Sequence, residues 1–302
     1  MIAAWKETAN WWNAIWFTPK PPESLWKVRL ACGLIATIHF LALLVFGSEW
    51  IGPNGWLNVE AGRFLIGDGV DGTGSLYRWS ILYWFPHALS MVVGVGLLAS
   101  IATAAGLGAR VSPLLAWFCM STVHHRAPIL TTIHEPLLVA MLAYLAIDPG
   151  RLTWTIRPGL ASGQARNSVN IVLQLIRCHL WIWIAFSLSS MLAFPIWWNG
   201  EAGWLLTQEK RGWLYLNEGW QWIGQLITHA LIATQAALLF CMIQAMCDWM
   251  SRWFLYLFLL SVLLLLGDWM YASVLFAASL AVWPLHLSHR NTLPKSQNAS
   301  NK

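Results

Sequence analysis

STVHHRAPILTTIHEPLL, residues Ser121–Leu138, sets three histidines (His124, His125 and His134), Arg126 and Glu135 between two long runs that carry almost no charge. An ionisable side chain inside or at the end of an apolar span is costly, so such a group marks a buried site or a cavity by default. This stretch therefore carries two expectations. One is a helical membrane bundle around it, and the other is a site within it.

The rest of the chain agrees with the first expectation. Of its 302 residues 58% are hydrophobic and only 10% charged, against roughly 25% charged in soluble domains. The apolar runs reach the length of roughly 20 residues that a helix needs to cross a hydrocarbon core. Many of the 23 tryptophans fall near the expected span ends, where an apolar ring with one wet N–H is favoured. The net charge of +5 does not point to nucleic acid, because Lys and Arg sit beside the apolar runs. Topology and anionic headgroups account for them. The five cysteines lie in or beside apolar runs and form no CxxC pair, so they read as small buried hydrophobes.

Residues 1–27 read as an interfacial, amphipathic segment rich in Trp, closed by Pro19, Pro21 and Pro22. No cleavable signal peptide is expected, since Lys6, Glu7 and an Asn/Trp-rich stretch precede the first span. The transmembrane domain is expected over 28–287. Its eight spans fall at about 28–46, 81–105, 111–126, 135–147, 169–194, 222–246, 253–266 and 270–287. The span opening at Glu135 is short enough to begin below the membrane surface. GDGVDGTG (67–74) is turn chemistry with too few oxygen ligands for a Ca²⁺ loop. TQEKRGW (207–213) reads as a solvated turn, and 288–302 as a disordered polar tail. The expected fold is thus all-α, a polytopic bundle. Placing both termini in the cytoplasm puts twelve Lys and Arg, among them Lys20, Arg29, Arg110, Arg166 and Arg252, on that side. Only Arg63, Arg78, Arg126, Lys210 and Arg211 fall on the other, the asymmetry expected of a cell-membrane protein.

Within the spans, His134 and Glu135 are the expected acid–base pair, with His125, Arg126 and Arg177 as expected ligand-binding groups. Arg177 needs a counter-ion, and Glu135 or Asp268 can serve. Gln174 and Arg177 are three apart and share a helix face. Metal binding is not expected: adjacent histidines diverge, and no HxxxH or HExxH spacing is present. His39, His87 and His229 stand alone and read as structural.

Five features together resemble the HTTM family, the transmembrane domain shared with vitamin K-dependent gamma-carboxylase. They are the entry WFTPKPPESLWKVRLACGL; the turn GLGARVSPLLAWF followed by STVHHRAP; HEPLL opening a span; the loop WWNGEA (197–202); and a final helical hairpin. The resemblance covers roughly residues 15–285. It implies a helical bundle whose site faces the lumen, periplasm or exterior. In the carboxylase members a lysine just before WxxG acts as base toward a reduced quinone. Here that place falls at Met191–Leu192, and neither is basic. His134 or Glu135 fits the position of the usual site-helix His or Asp, but Thr132 and Ile133 stand where the carboxylase has asparagines. The apolar run Val262–Leu266 replaces a histidine often seen in the penultimate span. The soluble β-rich domain that binds the carboxylase substrate is not expected here.

Three readings follow. The first is a non-carboxylating HTTM-like protein that binds a quinone or lipid-like molecule near His134, Glu135 and Arg177, with the bilayer and a membrane or periplasmic protein as partners. The second is a structural or partner-binding membrane subunit. The third is a carboxylase-like enzyme.

Overall fold

The computed structural model describes residues 2–66, 80–149, 165–208, 212–243 and 248–283. The glycine-rich turn at 67–74, Arg78, Arg151, Arg157, the charges at 209–211, Cys247 and the polar tail lie outside the described residues.

The described chain is helical, with one isolated antiparallel bridge between Lys20 and Arg166. The helices are α1 (Ile2–Phe17), α2 (Glu23–Ile51), α3 (Val59–Ile66), α4 (Leu89–Ala104), α5 (Val111–Arg126), α6 (Glu135–Leu145), α7 (Asn167–Ala193), α8 (Pro195–Trp198), α9 (Glu201–Gln208), α10 (Gln221–Ile243), α11 (Asp248–Ser261) and α12 (Trp269–Val282). Pro22 precedes α2, where a missing N–H costs nothing, and Gly52 ends it. Gly106 and Gly108, both at positive φ, make the tight turn from α4 into α5. The carboxylate of Asp268 starts α12 by accepting from the Tyr271 N–H at 2.8 Å.

Among the described residues, five segments are long and apolar enough to cross a membrane: Leu25–Ile51, Pro86–Ala104, Asn167–Ala193, Gln221–Met242 and Trp249–Leu266. The expectation of eight spans is met only in part. Helix α5 has 16 residues, α6 has 11 and α12 has 14 in the described chain. Polar chemistry at their ends explains the shortness. Helix α5 runs into His124, His125 and Arg126 and then Pro128, which disfavours helix in the residue before it. Helix α6 does not begin until Glu135, with Pro136 in its first turn. Helix α12 follows Gly267, at φ 62°, and the Asp268 cap.

Helix α2 packs on α4, α4 on α5, and α5 on α6; α12 joins this group to α7, and α10 packs against α9 and α11. The core residues of highest burial include Phe40, Met120, Leu137, Leu138, Met141, Leu142, Ile176, Leu180 and Ile184, drawn from α2, α5, α6 and α7. One end of the bundle is tied by cations. Arg29 donates to the carbonyls of Ala109 (3.2 Å) and Leu145 (3.3 Å), joining α2 to the α4–α5 turn and the end of α6. Arg166 pairs with Asp148 at 3.4 Å, and Ser168 donates to the same carboxylate. Burial, reinforced by the positive charge of Arg177, pulls the Lys20 ammonium below its ordinary value. Helix α1 is held against α7 by Asn170 and Gln174, which both donate to the carbonyl of Ile15.

Candidate functional site

The first turn of α6 gathers a polar cluster from four parts of the chain. His134 and Glu135 are both buried. The Glu135 carboxylate faces His124 Nδ1 of α5 at 3.4 Å through Oε2, and His39 Nδ1 of α2 at 3.9 Å through Oε1. Thr132 donates to Glu135 Oε1 (3.3 Å) and sits 2.9 Å from His134 Nδ1; Thr131 stands 3.0 Å from His124 Nδ1. On the far side Asp268 Oδ2 lies 3.7 Å from His134 Nδ1. His39 is near the middle of the Leu25–Ile51 span, about 20 Å from either end at about 1.5 Å per residue. The cluster is therefore deep along this span and not at its edge.

The expected site residues divide. His134 and Glu135 are together. His125 lies beside the cluster, its ring 5.8 Å from that of His124 and tilted by 55°, and its carbonyl accepts from the Tyr83 hydroxyl. Arg126 turns the other way: it is 1% exposed, donates to the carbonyl of Leu57 at 2.7 Å and lies over the Tyr83 ring. Arg177 is at the opposite end of the bundle, where Nε and Nη2 donate to the carbonyls of Ala281 (2.8 Å) and Val282 (3.1 Å) at the end of α12. The expected Glu135–Arg177 pair is thus not formed. Helices α6 and α7 run antiparallel, so the Tyr144–His179 contact (3.0 Å) sets Arg177 level with the end of α6, and Glu135 is three turns away. The carbonyls at the last turn of α12 are the orphan acceptors that a guanidinium satisfies well.

His39 is the member that sequence reading assigned to structure alone. Its signal was a lone imidazole in mid-span, which is itself costly. Asp268 was read only as a possible counter-ion, and its place as helix cap brings it to His134.

Next to this cluster is a cavity of about 540 Å³ between α7, α10, α11 and α12. Ile133, the residue before His134, forms part of its wall, as does Tyr271, whose hydroxyl accepts from Trp183 Nε1 at 3.1 Å. The other side is Val262, Leu265 and Leu266, from a π-helical turn that continues α11. Such π turns are frequent at functional sites because they re-aim side chains. The cavity wall is mainly apolar, with Ser187, Ser190, Ser261 and Gln235 as polar exceptions. Gln235 is fully buried on α10, and neither its Nε2 nor its Oε1 has a hydrogen-bond partner among the described residues.

The loop WWNGEA borders the same cavity. Trp197 lines it, Trp198 donates to the Leu192 carbonyl at 2.6 Å, and Gly200 turns the chain at φ 79°. Met191 is in the wall. Neither known protein families, curated proteins nor solved structures offer a match to this chain.

Proposed function

We propose that this chain is a multi-pass membrane protein of HTTM-like type that binds a quinone or lipid-like molecule in the cavity beside His134 and Glu135. The observation that carries this reading is Gln235. A buried amide with no partner costs about 1–3 kcal/mol by protein mutational measures, and natural proteins keep few such groups. Here the amide lines a cavity whose size falls in the range of small-molecule sites. A ligand with an apolar body and a carbonyl or hydroxyl would cover the apolar wall and satisfy the amide. The serines and the Tyr271 hydroxyl add further polar positions. Met191 stands where the carboxylase relatives carry a lysine, and a thioether is no base. The reading therefore stops at binding, with Glu135 and its histidines as acid–base groups beside the cavity.

The same cavity argues against a purely structural subunit, whose buried polar groups would be bonded between helices as the Thr228 hydroxyl is. The lysine and arginine asymmetry supports a cell-membrane location with the cluster opening away from the cytoplasm.

Native mass spectrometry of gently purified protein tests the reading. A discrete non-covalent adduct is expected on the wild type and is expected to be lost in Gln235→Leu. A wild type that carries only a broad, detergent-like distribution, identical in the variant, would count against it.

A further inference from the structure

We infer that His39, His134 and Glu135 form a binding site for one divalent first-row transition-metal ion. Each residue offers one ligand atom, and the three atoms lie within 4.8 Å of one another. Metal bonds of about 2.0–2.2 Å in a tetrahedral shell set neighbouring ligand atoms about 3.3–3.5 Å apart. Small side-chain rotations close that gap. No HxxxH spacing announces the site, because its donors come from mid-α2 and from the start of α6.

Donor chemistry gives a second argument. The Glu135 carboxylate is buried, and its ion-pair neighbours are the imidazoles of His39 and His124. Asp268 brings a second carboxylate to the same cluster, 3.7 Å from His134. Imidazole and carboxylate donors gathered in this way are the ligand types that a divalent transition-metal ion takes.

The surroundings resemble an outer shell. His124 holds the other oxygen of Glu135 and is itself held by Thr131; Thr132 fixes both Glu135 and His134. Ligands of bound metals are oriented by such partners. Two imidazoles and one carboxylate leave coordination positions open. This donor set suits zinc in sites with an exchangeable water, and iron(II) in the facial arrangement. No cysteine is part of the cluster, which argues against copper(I). The ion would stand next to the cavity wall at Ile133, where an open position could meet a ligand.

The test uses the full chain, purified in mild detergent through an affinity tag that contains no histidine. The protein is stripped with chelator, incubated with zinc(II) or anaerobically with iron(II), desalted and analysed for metal by mass spectrometry. One equivalent per chain of either ion is expected, and the preferred ion identifies the metal. His39→Ala and Glu135→Gln should lose it. His229→Ala should keep it, since His229 is an exposed residue of α10 bonded to the Gln225 carbonyl. His124→Phe should weaken binding by about 10–100-fold, the usual effect of removing an outer-shell partner. Should a ligand variant fail to fold, the wild type decides alone: metal should raise its melting temperature and chelator should reverse the rise. Failure of the wild type to retain either ion overturns the proposal, as does unchanged metal content in folded His39→Ala and Glu135→Gln. Gln235→Leu should leave the metal content unchanged, so this site and the ligand cavity stand or fall separately.

Discussion

His39 Nδ1 lies 3.9 Å from Glu135 Oε1, which ties the middle of α2 to the first turn of α6. The contact closes a polar cluster at one end of α6, while Arg29 of α2 reaches the Leu145 carbonyl at its other end. It also redirects the electrostatics of Glu135 from arginine to histidine.

Double-mutant cycles on the solubilised protein should report that redirection. Glu135→Gln and His124→Ala are expected to couple by about 0.5–3 kcal/mol, as contacting residues do. Glu135→Gln and Arg177→Gln should add to within about 0.5 kcal/mol. Strong coupling of Glu135 to Arg177 would show that the two meet after all.

The α9–α10 contact gives a prediction about packing. Thr228 is fully buried; its hydroxyl accepts from the Gly203 N–H at 2.7 Å and is shared between the carbonyls of Gly200 and Gly224, each at 2.9 Å. Thr228→Val keeps the shape but strands the Gly203 N–H, a loss of about 1–3 kcal/mol. Thr228→Ser should recover much of it. Equal stability of the Val variant and the wild type would mean that this hydroxyl does not hold the two helices.

Gly200 combines a φ of 79° with Gln225 against the place a Cβ would take. Gly200→Val is expected to cost about 1–3 kcal/mol in backbone strain alone and to lower folded yield. Gly219, with open space around it, supplies the control: Gly219→Ala should be mild. Comparable yields for the two would remove the WWNGEA turn from the ordered frame.

Topology can be read by labelling single cysteines in a background without the native ones. Asn54 and Ala165 are exposed and lie at opposite ends of the bundle, after α2 and before α7. The charge asymmetry predicts that Asn54→Cys reacts with an impermeant reagent from outside and Ala165→Cys does not. The reverse pattern would invert the protein.

How much of this was legible in the sequence depended on distance along the chain. The helical bundle was legible, because apolar runs of span length are a local signal. The neighbourhood of His134 and Glu135 was legible as well, since ionisable groups beside apolar runs stand out by composition. The bounds of α5 and α6 were legible too: the expected runs 111–126 and 135–147 meet Val111–Arg126 and Glu135–Leu145 to within two residues. The end of α12 was not, since the helix stops at Val282 where the apolar run continues to 287. The partners of Glu135 were not legible at all. Arg177 is the stronger charge, but helix direction places it at the end of α12, and the weaker His39 arrives through the packing of α2. The role of Gln235 was equally hidden, because an amide in a span reveals its lack of partners only when its neighbours are in place.

The stability of Gln235→Leu tests the central claim most directly. An amide kept only for a ligand is a burden to the empty protein, so leucine at that position should improve it. The account predicts that ligand-stripped Gln235→Leu unfolds at a higher temperature than the stripped wild type, by about 1–3 kcal/mol in stability. It also predicts that the bound molecule no longer copurifies with the variant. A destabilised Gln235→Leu would show that the amide has bonding partners inside the protein, and the cavity would then lose its claim to a ligand.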